Sequence, residues 1–270
     1  MGSSRIAVIA DTHLQPLDPR SRRGWCRLVE ALAAEAPDVI VHVGDLASAP
    51  DLRAGWELVR RGLDSLDTPW FVVAGNHDLG AWPPSRTQLE RFRAFWGSDQ
   101  WSAPLDGEAA WQLVGVNGAL LGQVTSSGRA HDERLDHHLA EAGGRRVVLF
   151  VHKPPLLDGP VGVSGASTLD ERARRRLATL LDASGANGRT HPSIDVVVSG
   201  HLHRFQRLRS GRTELLGTPA GGEVAARHRT AEPPAFLLLT LGPAIGCRII
   251  GVGETLSQWG PNPTATQQQP

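Results

Sequence analysis

Sulfur-containing and hydroxylated aromatic residues are scarce in this chain, which has no tyrosine, one methionine and two cysteines. Cys26 and Cys247 lie far apart, without the close spacing of a thiolate metal site. Cys26 falls in a predicted helix and Cys247 in a predicted strand, so we expect buried thiols rather than a disulfide.

An excess of charge is also missing. Lys+Arg and Asp+Glu both number 28 in 270 residues, so the net charge gives no sign of a polyanionic partner such as DNA. The hydrophobic fraction of 40% and the charged fraction of 21% are ordinary for a globular protein. The length suits one large domain with a sizeable core, which we expect over residues 1–260.

Long apolar runs are absent, and none approaches the length of a membrane span. The first ten residues lack the apolar stretch and cleavage site of a signal peptide. Ile6 stands where an N-myristoylation signal would require Ser or Thr. We therefore expect a cytoplasmic protein with no membrane partner.

Apolar runs alternate with helical patterns along most of the chain, as is typical of parallel βαβ units. Short segments without helical period follow at 214–216, 236–240 and 247–252, and they predict antiparallel strands that complete a second sheet. The Pro- and Gln-rich tail over 261–270 is expected to be disordered. Buried strands are predicted at 5–10, 39–43, 70–74, 111–116, 147–151 and 194–199, and helices at 25–36, 52–66, 88–96, 132–142 and 171–181.

The segment 80–107 breaks this alternation, because it is rich in Trp, Phe and Pro and contains one predicted helix. One interpretation is a peripheral excursion packed on the sheet. The other is a cap or wall over a site, because the segment leaves directly from Asp78.

The run 70–78 organises the rest of the chain. An apolar strand ends at Gly75, which is expected to let the backbone turn tightly. Asn76, His77 and Asp78 then follow at the carboxyl edge of the sheet, where open α/β folds place their ligands.

Polar clusters follow four other apolar runs in the same way. A single Asp after a strand is usually a turn or a cap, and a single His is usually packed, but the coincidence of all five clusters argues for one site. Side chains alternate along an extended backbone, so we expect Asp11 and His13 to point the same way, and likewise His201 and His203. Imidazole and carboxylate donors without thiolate favour Mn²⁺, Fe or Zn²⁺ over Mg²⁺. The clusters are Asp11/His13, Asp45, Asn76/His77/Asp78, His152 and His201/His203.

The ordered set resembles the calcineurin-like metallophosphoesterase superfamily. Here it reads Asp11-x-His13, Gly44-Asp45, Gly75-Asn76-His77-Asp78, His152 and Gly200-His201-x-His203, and no ligand position departs from the pattern. The resemblance implies an α/β (by some schemes α+β) fold of four α/β/β/α layers, in which two packed mixed β-sheets are flanked by helices. It also implies a two-metal site at the carboxyl ends of the strands.

The family's roles carry over by resemblance. Asp45 would bridge two metal ions, with Mn or Fe favoured, that share the hydroxide attacking the phosphoester. A carboxylate can offer one oxygen to each cation. His77 would be the general acid, oriented by Asp78. The other ligands would be Asp11, His13 and His203 for the first metal, and Asn76, His152 and His201 for the second.

The missing tyrosine excludes one subfamily. Purple acid phosphatases need a Tyr ligand shortly after Gly-Asp, and this chain reads Leu46-Ala47-Ser48 there. They also lack the His of Asp-x-His, which is present as His13. The remaining resemblance is to the broad bacterial phosphohydrolase group that includes class III cyclic-nucleotide phosphodiesterases.

Substrate contacts are weaker predictions. They are Asn76, His77, Asn117, Arg129, His131 and Arg204, with Arg207 as a further anion-binding candidate. For all of them except Asn76 and His77, a position on the surface, in a turn or in the packed interior explains the residue as well or better. His42 lies inside a strand and is expected to be packed.

The sequence therefore predicts a metal-dependent phosphoesterase acting on a small phosphorylated substrate, either a monoester or a diester, with a cyclic nucleotide as one candidate. A nuclease of the same superfamily is the first alternative, and charge neutrality argues against it. A non-catalytic scaffold that keeps the fold is the second, and the complete ligand set argues against it. The oligomeric state is left open, and a homodimer is compatible with the sequence.

Overall fold

The computed structural model describes residues 3–48, 53–105, 110–156, 167–183, 194–223 and 233–252. The predicted disordered tail at 261–270 lies outside these residues. The helices are α1 (Pro19–Glu35), α2 (Arg53–Asp64), α3 (Asn76–Leu79), α4 (Arg86–Trp96), α5 (Ser126–Glu141) and α6 (Glu171–Ala183). The strands are β1 (Ser4–Ile9), β2 (Val39–His42), β3 (Trp70–Val72), β4 (Trp101–Leu105), β5 (Trp111–Val116), β6 (Arg146–Val151), β7 (Ile194–Ser199), β8 (Gln206–Ser210), β9 (Thr213–Gly217), β10 (Ala235–Leu241) and β11 (Ile245–Gly251).

The strands form two mixed sheets. The first has the order β11-β10-β1-β2-β3, and the second has the order β4-β5-β6-β7-β9-β8. Strands β1, β2 and β3 run parallel, as do β5, β6, β7 and β9. The carboxyl ends of the central strands in each sheet therefore lie along one edge.

Alternation along the strands produces three apolar layers. In β1, Ile6 and Val8 face the second sheet, whereas Ala7 and Ile9 pack with side chains of α1 and α2. In β6, Val148 and Phe150 belong to the layer between the sheets. The residues that alternate with them along the strand pack against α5 and α6. Helices thus cover both outer faces, and the predicted four-layer α/β/β/α sandwich is confirmed.

The last strands do not complete the second sheet as predicted. β10 pairs antiparallel with β1, and β11 pairs with β10, so both belong to the first sheet. β9 does join the second sheet, where it pairs antiparallel with β8, as predicted, and parallel with β7. The pattern of short apolar runs identifies strands without identifying their partners, because pairing depends on contacts between distant parts of the chain.

Part of the segment 80–107 is built into the second sheet. Strand β4 forms its edge, which tolerates Pro104 because an edge strand has unpaired backbone groups. The indole nitrogen of Trp101 donates to the carbonyl of Val72 at 2.6 Å and so joins the two sheets. The irregular composition of the segment hid this strand from the sequence pattern.

The cysteines are free, as expected, but they are not buried. Cys26 is exposed on α1, and Cys247 is half-buried on the edge strand β11. Cys26 lies two positions from Leu28, which places the two on different faces of a helix. No helix among the described residues is long and apolar enough to cross a membrane.

The contact between β4 and β5 gives a stability test. A Cβ atom at Gly115 would lie 2.2 Å from Cε2 of Trp101, so Gly115→Ala must displace the ring that joins the sheets. We expect Gly115→Ala to lower the free energy of unfolding by about 1–3 kcal/mol, measured by urea denaturation. Gly144→Ala is the control, because a Cβ atom there would have no atom of the described residues within 4 Å. Equal stability of the two variants would contradict the predicted clash.

Candidate metal centre

Polar side chains from both sheets meet at the common edge. Asp11, Asp45 and Asn76 follow β1, β2 and β3 of the first sheet. His152 and His201 follow β6 and β7 of the second. The Oδ2 atom of Asp11 accepts the backbone N–H of His201 at 2.8 Å, which ties the two sheets together at this point.

The backbone at this edge is left-handed rather than extended. Six non-glycine residues in the described part of the chain have positive φ, and five of them are predicted ligands. The prediction that an extended backbone points Asp11 and His13 the same way, and likewise His201 and His203, was therefore wrong, although these side chains do converge. Such conformations cost about 1–3 kcal/mol each and persist where surrounding contacts impose them, commonly at functional sites. The five φ values are 54° for Asp11, 43° for His13, 55° for Asp45, 69° for His201 and 59° for His203.

One group of donors consists of Asp11, His13 and His203. The Nε2 atoms of the two histidines are 3.3 Å apart, and both face Asp11. The Oδ1 atom of Asp11 lies 3.3 Å from Nε2 of His203 and 3.8 Å from Nε2 of His13. These three side chains offer one oxygen and two nitrogens to a common point.

A second group consists of Asp45, His152 and His201, with Asn76 beside it. Nε2 of His152 lies 3.3 Å from Oδ2 of Asp45 and 3.2 Å from Oδ1 of Asn76. The other ring nitrogen of His152, Nδ1, lies 2.8 Å from the carbonyl of Val43 and donates to it. This contact leaves Nε2 facing the group, which is the arrangement of histidines that bind metals.

Asp45 lies between the two groups. Its Oδ2 atom is 3.5 Å from Nε2 of His13 and 3.3 Å from Nε2 of His152. Its Oδ1 atom accepts the backbone N–H of His77 at 2.8 Å. The sequence prediction offered one oxygen to each cation, whereas the structure presents Oδ2 to both groups and uses Oδ1 to hold the loop after β3.

Gly75 is required for a reason other than the one predicted. Its backbone is extended, with φ −95° and ψ 177°, so any residue could adopt that conformation. A Cβ atom there, however, would lie 2.2 Å from both the N and Oδ1 atoms of Asp45. Glycine allows the loop after β3 to approach Asp45 closely.

Asp78 has a different role from the one predicted. It is buried, and its carboxylate accepts the backbone N–H groups of Asp45 at 2.8 Å, Gly75 at 2.9 Å and Leu46 at 3.1 Å. The indole N–H of Trp56 adds a fourth contact at 3.2 Å. Burial and the charge of Asp45 raise the pKa of Asp78 to about 7. Asp78 thus holds the loops after β2 and β3 together.

His77 is oriented by a carbonyl group instead of by Asp78. Its Nδ1 atom lies 3.1 Å from the oxygen of Ser48, so Nδ1 carries the proton and donates it to that bond. The ring is exposed and packs edge-on against His13, with centroids 4.7 Å apart. Nε2 is left to act on a bound molecule.

Interactions between the carboxylates and the imidazoles of the site determine the protonation states of these side chains. Burial alone would raise the pKa of both Asp45 and Asp11. The charge and hydrogen bond of His152 instead lower the pKa of Asp45 to about 2. Hydrogen bonds from His13 and His203 hold the pKa of Asp11 well below its usual range. Burial alone would lower the pKa of His152, but Asp45 raises it to about 9. Without metal, imidazolium protons balance the carboxylates.

The donors present fit divalent metal ions. Oδ1 of Asp11 is buried without a hydrogen-bond partner among the described residues although imidazole nitrogens surround it, so it is left as a free acceptor. Imidazole and carboxylate donors without thiolate suit Mn, Fe or Zn. The first metal would contact Asp11, His13, His203 and Asp45, and the second would contact Asp45, Asn76, His152 and His201.

Most predicted substrate contacts have other partners. Asn117 directly follows β5 and is fully buried; its Nδ2 donates to Asp99 at 3.0 Å and its Oδ1 accepts from the N–H of Ala119. His131 is also buried and its Nε2 accepts the N–H of Asn117 at 3.2 Å. These two predictions are wrong, because both side chains belong to an internal network at the start of α5.

The arginines predicted to contact the substrate differ in their surroundings. Arg207 is engaged by Glu214 at 2.8 Å, which argues against anion binding. Arg129 is exposed on α5 and donates to the carbonyl of Val124, and Arg204 directly follows His203; their substrate roles stay predictions. His42 is packed, as expected, and burial lowers its pKa to about 3, so the ring is neutral.

Sequence reasoning missed Ser48, Trp56 and Thr12 as parts of the site. Ser48 contributes a carbonyl, which any residue has, and Trp56 looks like an ordinary apolar residue of α2. Thr12 lies between two predicted ligands, and that position was the only available signal.

A two-sheet sandwich gathers imidazole and carboxylate groups that could hold metal ions at the ends of its strands. The chain belongs to the calcineurin-like phosphoesterase family, because the family model matches residues 4–205. It is therefore an enzyme of the metallophosphoesterase class, and the family prediction is confirmed.

Named relatives agree with this class. The chain is 26% identical over 225 residues to a probable cyclic nucleotide phosphodiesterase of Synechococcus, covering 80% of this chain and 79% of the relative. It is 23% identical over 231 residues to a 3',5'-cyclic adenosine monophosphate phosphodiesterase of Vibrio vulnificus, covering 81% and 76%. Among solved structures, a dimetal phosphatase from Danio rerio shares the fold, with a TM-score of 0.65, 15% identity and coverage of 94% and 98%.

The protonation of His152 leads to a pH-dependent prediction. The raised pKa keeps a proton on its imidazole below about pH 9 in the metal-free protein, and a metal ligand must be unprotonated. Binding of Mn²⁺ at pH 7 should therefore release about one proton per chain from this group, and the affinity should weaken as the pH falls. Calorimetry in buffers of different ionisation enthalpy measures the release. A binding heat that does not depend on the buffer would contradict this expectation.

Proposed function

We propose that this protein hydrolyses a phosphodiester bond in a small phosphorylated molecule, using two divalent metal ions. The observation that supports this proposal most directly is the pair of donor groups that share the Oδ2 atom of Asp45. Two ions held by such groups supply positive charge for the phosphate oxygens and lower the pKa of water to near 7. The ligand set favours Mn²⁺ or iron.

The residues of the chain would divide the remaining work. Asp45 and Asp11 would supply negative charge to the metal ions, and the histidines, in their neutral form, would complete the two donor groups. Asp78 fixes the backbone that presents Asp45. The left-handed loops then hold the donors in place before any substrate binds, so little reorganisation accompanies the reaction.

His77 would act as the general acid. Because Nδ1 donates to the carbonyl of Ser48, a second proton at Nε2 would be aimed away from the loop and towards a bound phosphoester. Transfer of that proton to the departing oxygen is a contribution typically worth about 10²–10⁴-fold in rate. The edge-on contact with His13 limits the positions that the ring can take.

The two relatives named as cyclic nucleotide phosphodiesterases support a diester, and a cyclic nucleotide in particular, as the substrate class. The decisive experiment is a panel of cyclic nucleotides, linear phosphodiesters, phosphomonoesters and single-stranded DNA, assayed with added Mn²⁺. We expect turnover of cyclic nucleotides or other small diesters to exceed that of monoesters and DNA. Preference for monoesters would replace the diester proposal by a phosphatase, and preference for DNA would replace it by a nuclease.

Asp45→Ala should abolish turnover of every substrate in the panel. Both donor groups lose a shared oxygen, and the loop after β3 loses the acceptor for the N–H of His77. Metal content by mass spectrometry should fall below one ion per chain. Asp64→Ala, an exposed residue at the end of α2, is the control and should keep wild-type activity. Residual turnover near the wild-type rate in Asp45→Ala would exclude the shared-ligand arrangement.

His77→Ala should keep its metal but lose about 10²–10⁴-fold in kcat, with the largest loss for substrates with poor leaving groups. The reason is that the two donor groups remain complete without His77. His137→Ala, which removes an exposed histidine of α5, is the matched control. If His77→Ala lost metal in proportion to activity, His77 would be a ligand, as its closeness to His13 and Asp45 permits.

A further inference from the structure

Two loops of the site run side by side. Thr12 lies between the predicted ligands Asp11 and His13, but its side chain turns inward and is only 2% exposed. Backbone N–H groups in the first loop donate to carbonyls in the second, each at 3.0 Å: Asp11 to Gly44, His13 to Asp45 and Leu14 to Leu46. The loop after β1 is therefore fixed relative to the loop after β2 partly by its backbone.

The hydroxyl of Thr12 adds a side-chain connection between the same loops. Oγ1 donates to the carbonyl of Leu46 at 3.0 Å and lies 2.9 Å from Nε2 of His42. A carbonyl can only accept, so the single hydroxyl proton is used in the bond to Leu46. His42 must then donate from Nε2, which defines its tautomer.

His42 is an unusual residue for its place. It is fully buried at the end of β2, between Val41 and Val43, and its Nδ1 atom has no hydrogen-bond partner among the described residues. A buried polar atom without a partner is costly, and an apolar side chain would avoid this cost. Within the same part of the chain, the hydrogen bond that the ring does make is the one to Thr12.

The backbone of Leu46 is thus held on both sides of its Cα atom. Its carbonyl accepts from Thr12, and its N–H donates to Asp78 at 3.1 Å. The preceding residue, Asp45, has a left-handed backbone with φ 55° and is shared by both donor groups. Contacts that hold the next peptide in place oppose relaxation of this strained backbone.

We propose that Thr12 and His42 are positioning residues that set the separation between the loop carrying Asp11 and His13 and the loop carrying Asp45. The inference rests on the proposed metal-dependent function, because it treats these loops as the two sides of a metal centre. Neither residue offers an atom to the metal or to the substrate. Removing the hydroxyl leaves every ligand present but lets the loops move apart.

Three variants test this proposal. Thr12→Val removes the hydroxyl and keeps the branched shape of the side chain. Thr12→Ser keeps the hydroxyl and should therefore keep wild-type metal binding. Thr213→Val is the matched control: Thr213 is 1% exposed, and its Oγ1 donates to the carbonyl of Ile194 at 2.7 Å at the opposite edge of the sandwich. Both valine variants lose one buried hydrogen bond to a carbonyl, and Thr12→Val also removes the acceptor of the bond from Nε2 of His42, so loss of stability is measured in both variants alongside the metal readouts.

The readouts are Mn²⁺ affinity by calorimetry and the electron paramagnetic resonance spectrum of the Mn²⁺-loaded protein, which is sensitive to the separation of two coupled ions. We expect Thr12→Val to bind Mn²⁺ about 10–100-fold more weakly and to give an altered spectrum. Thr12→Ser and Thr213→Val should match the wild type in both readouts. Melting temperatures report whether the two valine variants are equally destabilised.

Wild-type affinity and spectrum in Thr12→Val would overturn the positioning role while leaving the proposed function intact. Equal loss of affinity in Thr12→Val and Thr213→Val would also overturn it, since the effect would then be global. If the wild-type protein bound no Mn²⁺, Zn²⁺ or Fe²⁺ at all, the proposed function itself would fail and this inference with it.

Discussion

The buried carboxylate of Asp78 is the constraint on which the geometry of the site depends. It accepts N–H groups from the loops after both β2 and β3 and from Trp56 of α2, so one side chain connects three elements of the fold. Hydrogen bonds to a charged acceptor are worth about 1.5–3 kcal/mol each, more than neutral ones, so these contacts are strongest above the pKa of Asp78 of about 7, where its carboxylate is ionised. Moving either loop would leave donors and acceptor unpaired in the interior, which would cost a similar amount.

This constraint explains how the strained backbone can persist. Left-handed residues accumulate at the ends of β1, β2 and β7, and backbone bonds to a neighbouring loop hold Asp11, His13, Asp45 and the residue before His201. The sandwich beneath is rigid, because apolar layers on both sides of each sheet fix the strands. The stability of the core thus supports an edge that would not adopt this conformation alone.

The electrostatic balance follows from the same packing. Asp11 and Asp45 are buried together beside four imidazoles, so the site is close to neutral when it holds protons and receives cations by releasing them. An apolar edge could not bind divalent ions, and an edge of carboxylates alone would repel itself strongly. The mixture of donors makes the folded site stable and still able to exchange protons for metal.

The sequence alone determined which strands carry the site and which side chains approach one another. Strand ends are visible as apolar runs that stop at Asp, Asn or His, and parallel order brings those ends to one edge. The ligand candidates Asp11, His13, Asp45, Asn76, His152, His201 and His203 all gather there. Asn117 and His131 were misjudged because strand ends predict proximity but do not say where a side chain finds its hydrogen bonds.

Tertiary structure decided the rest. The pairing of β10 and β11 with the first sheet is seen only in the folded structure. The same holds for the position of Oδ2 of Asp45 between both donor groups. It also holds for the contact of His77 with the carbonyl of Ser48 instead of with Asp78. These outcomes depend on backbone groups and on contacts between residues that lie from about thirty to more than two hundred positions apart. Side-chain identity and periodicity carry information about faces and ends of elements, whereas the pairing of backbone donors and acceptors exists only once distant segments have packed.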